Sequence, residues 1–434
     1  MGAVITASGT GRYMRSRHDR ILDLAERKLG LGVELGVIYR RIEDETLDDA
    51  TITIDGRSMV NFSSCAYLGV NRDPRLRDAA VDALDRYGAN YSSAPVYTAL
   101  PMYETLTRQL GEMTGAAVAV AQTTTLAHLS ALPVLIGPRD IALVDAQTHD
   151  SVHLATTNLK GNGVAVEAIP HIDLEALTRR IEAVADDYDR VWFLSDSIFS
   201  MFGDVAPIKD VAALQERIPN LHVYYDDAHG FSWAGERGGG YVLSQVPWND
   251  RMVIAAGLAK SFGSFGAVLA FGDASLVRRV QITGGALTFS GPIPPADLGA
   301  ATASGAIHLS PEHAELQAEL VAFIDWGRDQ IVGRQLPVAC LATTPIWFIR
   351  VGSAEAVGEM SQRLMRDGYY VNASAFPAVP VGYGGIRFTQ TLNHTPEQFV
   401  GLLDAIEFHL ADLGTTPDVL IDLRQDAPEL VRGV

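Results

Sequence analysis

The chain is poor in lysine, cysteine and net positive charge, and it has no long apolar run. Its 434 residues include four lysines (Lys28, Lys160, Lys209 and Lys260), so arginine carries most of the positive charge. The formal net charge is −18. That balance argues against nucleic acid as a partner, because phosphate binding needs clustered Lys and Arg. It argues equally against docking on anionic membranes. The two cysteines, Cys65 and Cys340, are too far apart in sequence for metal-ligand spacing or a disulfide framework. No metal site is expected, and a reducing compartment fits. The first twenty residues lack an apolar core followed by a cleavage site, so no signal peptide is read. No apolar run reaches the roughly 18 residues of a membrane span. The expectation is a soluble, cytoplasmic protein.

With 47% hydrophobic residues, the chain can bury a large core. Residues 13 to 43 read as helical with a Gly-rich break, and 50 to 64 as a β-hairpin turning at Asp55-Gly56. Helices are predicted over 74–87 and 101–114. From residue 117 short unbroken apolar runs alternate with helical stretches: AAVAVAQ, DIALVDA, GVAVEAIP, DRVWFLSDS, LHVYYDDA, RMVIAAGLA and GAVLAFGD. Unbroken runs of this length mark strands buried on both faces. Their alternation with helices predicts an α/β fold with a mostly parallel, doubly wound sheet. Ligands in such sheets sit at the carboxyl ends of the strands, which singles out Asp145, Asp196, Asp226 and Asp227. After residue 300 the pattern changes to helix, strand, helix, strands and helix. The expected organisation is an N-terminal helical segment and hairpin (1–60), a large domain (61–300), a smaller α+β C-terminal domain (301–413) and a tail (414–434).

Lys260 stands apart from the other lysines because it lies in a Gly/Ser loop between two strand-like runs. Desolvation there would make it a competent amine nucleophile; a solvated or ion-paired lysine is the alternative. HVYYDDAHG places Asp226 three residues before His229. This pair could begin a metal site, or set a carboxylate against a pyridinium nitrogen with an imidazole nearby. QTTTLAH (122–128) follows one strand and opens a helix, offering hydroxyls and free backbone N–H groups to a phosphate. Thr-rich helix caps are, however, common in any protein.

Seven segments stand in an order that resembles the α-oxoamine synthases, a branch of the fold-type-I pyridoxal-phosphate enzymes related to class I/II aminotransferases. They are NFSSCAYLGVNRDP (61–74), THDSV (148–152), SIFSMFGDVAPI (197–208), YYDDAHGFSWAGERGGG (224–240), GLAKSFGSFG (257–266), LTFSGPIPPA (287–296) and GGIRFTQTLNHT (384–395). The resemblance covers roughly residues 45 to 412. It implies a fold-type-I transferase that holds pyridoxal 5'-phosphate as a Schiff base on Lys260. His149 would stack on the ring, Asp226 would pair with the pyridine nitrogen, and His229 would pair with the ring hydroxyl. Ser200 would lie by the cofactor. Thr288 and Ser290 would reach the phosphate of a neighbouring subunit, implying a homodimer. Arg387 would grip the substrate carboxylate. Lys260, His149, Asp226 and His229 are thus the expected catalytic residues.

The departures from the family gather around the substrate. Cys65 stands where the family has a carboxylate-binding Asn, Ala66 where it has Asp, and Tyr103 where it has His. Thr123, Thr124 and Thr125 replace a Gly-aromatic phosphate cup, Gly257 replaces a phosphate-binding Thr, and Asp196 replaces Glu. The implied reaction joins an amino acid to an acyl thioester, CoA-bound or carrier-bound, forming a carbon–carbon bond. Two alternatives stay open: β- or γ-elimination and replacement on an amino acid such as S-adenosylmethionine, and plain amino transfer.

Overall fold

The computed structural model describes residues 17–413, apart from 49, 377 and 381. Of the helix expected over 13–43, residues 13–16 lie outside the described part, as does the tail from 414. The helix spans Arg17–Glu34 and stops there. Gly36 at φ 64° cannot continue it, and the Glu43 N–H donates to the Thr53 carbonyl, so the expectation of helix over 35–43 fails. Strands β1 (Thr51–Ile54) and β2 (Arg57–Asn61) form the hairpin. Asp55 and Gly56 both have positive φ, 52° and 69°, the geometry of the tight turn an Asp-Gly pair favours.

All seven apolar runs become strands of one sheet. They are β3 (Ala117–Ala121), β4 (Ile141–Asp145), β5 (Ala165–Ile169), β6 (Val191–Asp196), β7 (Leu221–Asp226), β8 (Met252–Gly257) and β9 (Ala267–Phe271). The sheet order is β3-β9-β8-β7-β6-β4-β5. β9 runs antiparallel to both its neighbours, and the other pairings are parallel. β4, β6 and β9 are buried along their whole length, because helices cover both faces and leave no solvent side for alternation. The chain leaves β3 at one edge and re-enters at β4 on the far side. Such a reversal opens a crevice at the strand carboxyl ends, where β4, β6 and β7 end in Asp145, Asp196 and Asp226.

The C-terminal unit has β10 (Ile346–Gly352), β13 (Gly384–Thr389) and β12 (Asn372–Ser374) in an antiparallel sheet. The run YYVNAS (369–374), in the strand-containing stretch after residue 300, is split between two sheets. β11 (Tyr369–Tyr370) pairs in parallel with β2, while β12 pairs with β13. Val371 between them is fully buried, so the chain steps across the core at that residue. The hairpin therefore joins the C-terminal unit, and Phe62, Tyr67, Leu68 and Val70 pack into the same core as Trp347, Phe388, Phe399 and Leu403. This brings the 62–70 segment, early in the chain, beside β13 near its end.

His394 marks that junction. Its ring stacks on Phe62 at 4.2 Å, Nε2 bonds to the Asn61 carbonyl at 2.9 Å, and Nδ1 accepts from the Thr391 N–H at 3.2 Å. A proton on Nδ1 would face that N–H, and burial holds the imidazole down at about 4. The folded state therefore binds fewer protons than the unfolded chain between about pH 6.5 and 4, and this contribution to stability, fully present above 6.5, is lost as pH falls. The expected loss is about 3 kcal/mol at pH 4. Urea denaturation at pH 7 and 4.5 should show a shallower pH slope in His394→Gln than in the parent. Equal slopes would remove His394 from the acid response.

Among the described residues no helix is long and apolar enough to cross a membrane. None of them form a group of three or more His, Cys, Asp or Glu side chains suited to a metal ion.

Candidate active site

Asp226 ends β7, and its side chain points to the same face as Tyr224 two residues earlier, as strand periodicity requires. His128, on the helix Thr124–Leu135, spans both: Nδ1 lies 2.7 Å from the Tyr224 hydroxyl and Nε2 3.0 Å from Asp226 Oδ2. The other oxygen, Oδ1, accepts from the Ala228 N–H at 3.0 Å. Burial alone would push this carboxyl up. The hydrogen bond and charge of His128, with the charges of Lys260 and His149, outweigh burial and hold Asp226 below the ordinary carboxylate range. The site thus keeps a buried carboxylate ionised at the centre of the cleft. Asp196, one strand over, is driven the opposite way by burial and by the charge of Asp226, and accepts the His149 backbone N–H at 3.0 Å.

Asp227 turns to the opposite side. Ser197 Oγ and the Val242 N–H donate to it, and burial pushes it up to about 7. A Cβ on Gly230 or Gly240 would come within 2.1 Å of its oxygens, so the glycines of GERGGG and AHG close around this carboxyl. Its role is to hold the 230–242 loop.

Lys260 follows β8, with its amine lowered by burial against the opposing charges of Cys65, Asp226 and Asp196. Thr123 caps the helix that opens at Thr124, its oxygen accepting from the Leu126 N–H at 3.2 Å. Gly257 faces this run: a Cβ there would lie 3.4 Å from Thr124 Cγ2. The Thr124 methyl thus packs against the space that a side chain at 257 would enter. An amine of lowered pKa, an ionised buried carboxylate and a hydroxyl-rich helix N-terminus are the donor set that a phosphorylated pyridine aldehyde needs.

His229 is buried, and its Nδ1 lies 2.7 Å from the Tyr67 hydroxyl. Burial, with the charges of Lys260 and Arg387, keeps the imidazole neutral, while burial keeps Tyr67 protonated. In the tautomer that accepts the Tyr67 hydroxyl at Nδ1, Nε2–H is left as a donor. Arg387 on β13 is buried; its Nε donates to the Ser200 carbonyl at 2.6 Å, and its Nη2 lies 3.7 Å from Cys65 Sγ. His149 caps the helix Asp150–Gly161, with Nδ1 2.7 Å from Ser151 Oγ.

The fold thus gathers Lys260, Asp226, His229, His149, Ser200, Arg387, Cys65 and the 123–125 run at one end of the sheet. Thr288 and Ser290 are not drawn into this group within one chain. Their hydroxyls donate to carbonyls of their own segment, at Gly284 and Ala286, and among the described residues no hydrogen bond ties either to Lys260 or to 123–125. Sequence reasoning missed His128 and Tyr67. His128 was visible as the residue four after Thr124 on the same helix face. Tyr67 carried no such signal, since its partner lies 162 residues away.

Cys65 combines burial, which raises a thiol, with the charges of Arg387 and Lys260, which more than reverse it. Cys340 is pushed up to about 11. Iodoacetamide at pH 7.5 should therefore label Cys65 and spare Cys340, with a pH midpoint for Cys65 below the ~8.5 of a free thiol. Peptide mass spectrometry reads this directly, and equal labelling of the two would contradict the electrostatic assignment.

Residues 57–406 match the sequence model of the family described as Aminotransferase class I and II. Two curated relatives are 8-amino-7-oxononanoate synthases. That of Xanthomonas oryzae pv. oryzae is 31% identical over 401 residues, covering 90% of this chain and 94% of the relative. That of Treponema denticola is 29% identical over 388 residues, covering 89% and 95%. Among solved structures, a serine palmitoyltransferase from S. paucimobilis superposes with a TM-score of 0.83 at 20% identity, covering 93% of this chain and all of that one. The 8-amino-7-oxononanoate synthase from Francisella tularensis gives 0.66 at 18% identity, covering 82% and 98%. At these identities the structural likeness speaks for the fold.

Proposed function

The chain belongs to the class I and II aminotransferase family, in its α-oxoamine synthase branch, and on that footing we propose that it joins an amino acid to an acyl thioester in a pyridoxal-phosphate-dependent carbon–carbon condensation. The observation that carries the reading is the convergence of Lys260, ionised Asp226 and buried Arg387 at the strand ends.

Pyridoxal phosphate fits the residues present: Lys260 would hold the aldehyde carbon, Asp226 the pyridine nitrogen, His229 Nε2 the ring oxygen, and the helix N-terminus at Thr123–Thr125 the phosphate. When bound, it supplies an electron sink for breaking a bond at the amino acid's Cα. The chain's own residues do the rest. Arg387 offers Nη1 and Nη2 to the substrate carboxylate while its Nε stays on Ser200, so the fork is aimed before substrate arrives. Lys260 Nζ, lowered by burial, takes and returns the proton at Cα. His149, held by Ser151 at the start of its helix, would cover one face of the bound ring. Asp226, braced by His128, would keep the ring nitrogen of the bound cofactor protonated.

The enzyme is proposed to act as a homodimer. Tyr97, Ile282 and Phe289 are large apolar side chains exposed at 80%, 56% and 84%. They lie in or beside segments lining a cavity of about 350 Å³ with Ser290 and Gln122 on its wall. A second copy seated there would bury them and bring Ser290 and Thr288 towards a partner site. Light scattering should give twice the chain mass.

The deciding assay offers glycine, serine and alanine with acyl-CoA or acyl-carrier thioesters and measures free thiol and CO₂. Release of both, dependent on the amino acid, is expected. Methylthioadenosine from S-adenosylmethionine, or a keto acid without thiol release, would overturn the condensation and leave the cofactor assignment standing.

A further inference from the structure

One buried imidazole outside the cleft ties two of its arms together. His171, in the turn after β5, is buried between two carboxylates: Nδ1 lies 2.8 Å from Asp145 Oδ1 and Nε2 2.6 Å from Asp204 Oδ2. Both ring nitrogens face acceptors, an arrangement satisfied by the imidazolium. Burial opposes that charge, and the two carboxylates restore it, raising His171 to about 10.

Each carboxylate leads to a different part of the cleft. Asp145 ends β4 and also accepts the Gln147 N–H at 2.9 Å and the Ile172 N–H at 2.8 Å, and its carbonyl accepts from the Thr148 N–H. These bonds shape the turn that delivers His149. Asp204 closes the loop of Phe199–Gly203, where the Phe199 N–H donates to the Asp204 carbonyl at 2.8 Å and Ile198 bridges Val205. Phe199 packs edge-on against the His171 ring at 4.4 Å. The loop's Ser200 carbonyl is the acceptor that aims Arg387.

We propose that His171 is a positioning residue: it clamps the His149 turn to the 199–204 loop, and through the Ser200 carbonyl it presets the Arg387 fork for the substrate carboxylate. It touches neither substrate nor cofactor. The proposal rests on the reading of Arg387 given above, and the two arms predict separable effects. Breaking the Asp204 arm loosens Arg387, which acts on the amino acid before and during reaction. Breaking the Asp145 arm loosens the His149 turn and leaves Arg387 aimed.

The experiment compares Asp204→Asn, Asp145→Asn, His171→Gln and Arg387→Lys with the parent holoenzyme, each assayed well below its own melting temperature. Asp204→Asn is expected to raise the amino-acid KM about tenfold, the scale of one lost preorganising contact, with kcat changed less than threefold. Asp145→Asn should leave that KM within twofold and instead alter the visible circular dichroism of the bound cofactor. His171→Gln should show both effects. Should it fail to fold, the two Asn variants still decide the matter. If Arg387→Lys raises KM and Asp204→Asn does not, the clamp is overturned. If Arg387→Lys itself leaves KM unchanged, the carboxylate reading of Arg387 fails instead. If all three clamp variants lose melting temperature with unchanged KM and dichroism, His171 serves stability alone and the proposal is wrong.

Discussion

Lys260→Ala is expected to abolish turnover, with kcat falling by about 10⁴-fold or more. Two functions vanish together: the amine that holds the cofactor covalently and the base that moves the Cα proton. General acid–base catalysis alone is worth about 10²–10⁴, and loss of the covalent attachment adds to it. The other lysines lie far from this setting in sequence, at 28, 160 and 209. The other cation named in the cleft, Arg387, is a guanidinium held on the Ser200 carbonyl and offers no amine for Schiff-base formation. Borohydride reduction of the parent with pyridoxal phosphate should fix the cofactor's mass on the peptide containing Lys260, and Lys260→Ala should take up none. Burial of Asp226, Tyr224 and the β8 strand does not depend on the lysine, so the variant should melt within a few degrees of the parent. Full activity in Lys260→Ala would sink the cofactor assignment and the mechanism built on it.

Asp226→Asn should lower kcat by on the order of 10²–10³, the range found when one preorganised electrostatic partner is removed from a site. The substitution keeps the shape and one hydrogen bond but removes the charge that His128, Ala228 and the cleft cations are arranged to maintain. The amino-acid KM should change far less, since Arg387 and Ser200 are on other elements. A second expectation follows from the same geometry. Asp196 is held up partly by the charge of Asp226, so neutralising Asp226 should let Asp196 ionise more readily and move the acid limb of the kcat profile. A pH–rate profile of the variant tests both, and an unchanged kcat would remove Asp226 from the ring-nitrogen role. His128→Gln offers a milder version, because Asp226 would keep its Ala228 hydrogen bond while losing the partner that most lowers it.

Much of this was legible in the chain itself. Unbroken apolar runs identified the seven strands of the large sheet, because strands buried on both faces leave no place for polar alternation. A Thr-rich helix start, carboxylates at strand ends and a lysine in a Gly/Ser loop follow one another in an order that resembles one family, and that resemblance points to Lys260, Asp226, His229 and Arg387. These signals are local, and a few residues of context suffice to read them.

What the chain could not disclose are the contacts closed over long sequence separations. Cys65 meets Arg387 across 322 residues, and Tyr67 meets His229 across 162. Both depend on β11 pairing with β2, which folds the 62–70 segment into the C-terminal core and against the cleft. The His171 clamp is of the same kind, since its partners come from a strand end before it and a loop after it. Periodicity reports which face of an element is buried but not which distant element covers it. The sequence alone determined the seven strands of the large sheet and the candidate reactive groups; tertiary packing ended the first helix at Glu34, split the 369–374 run between two sheets and decided which groups meet, because desolvation and charge act through space.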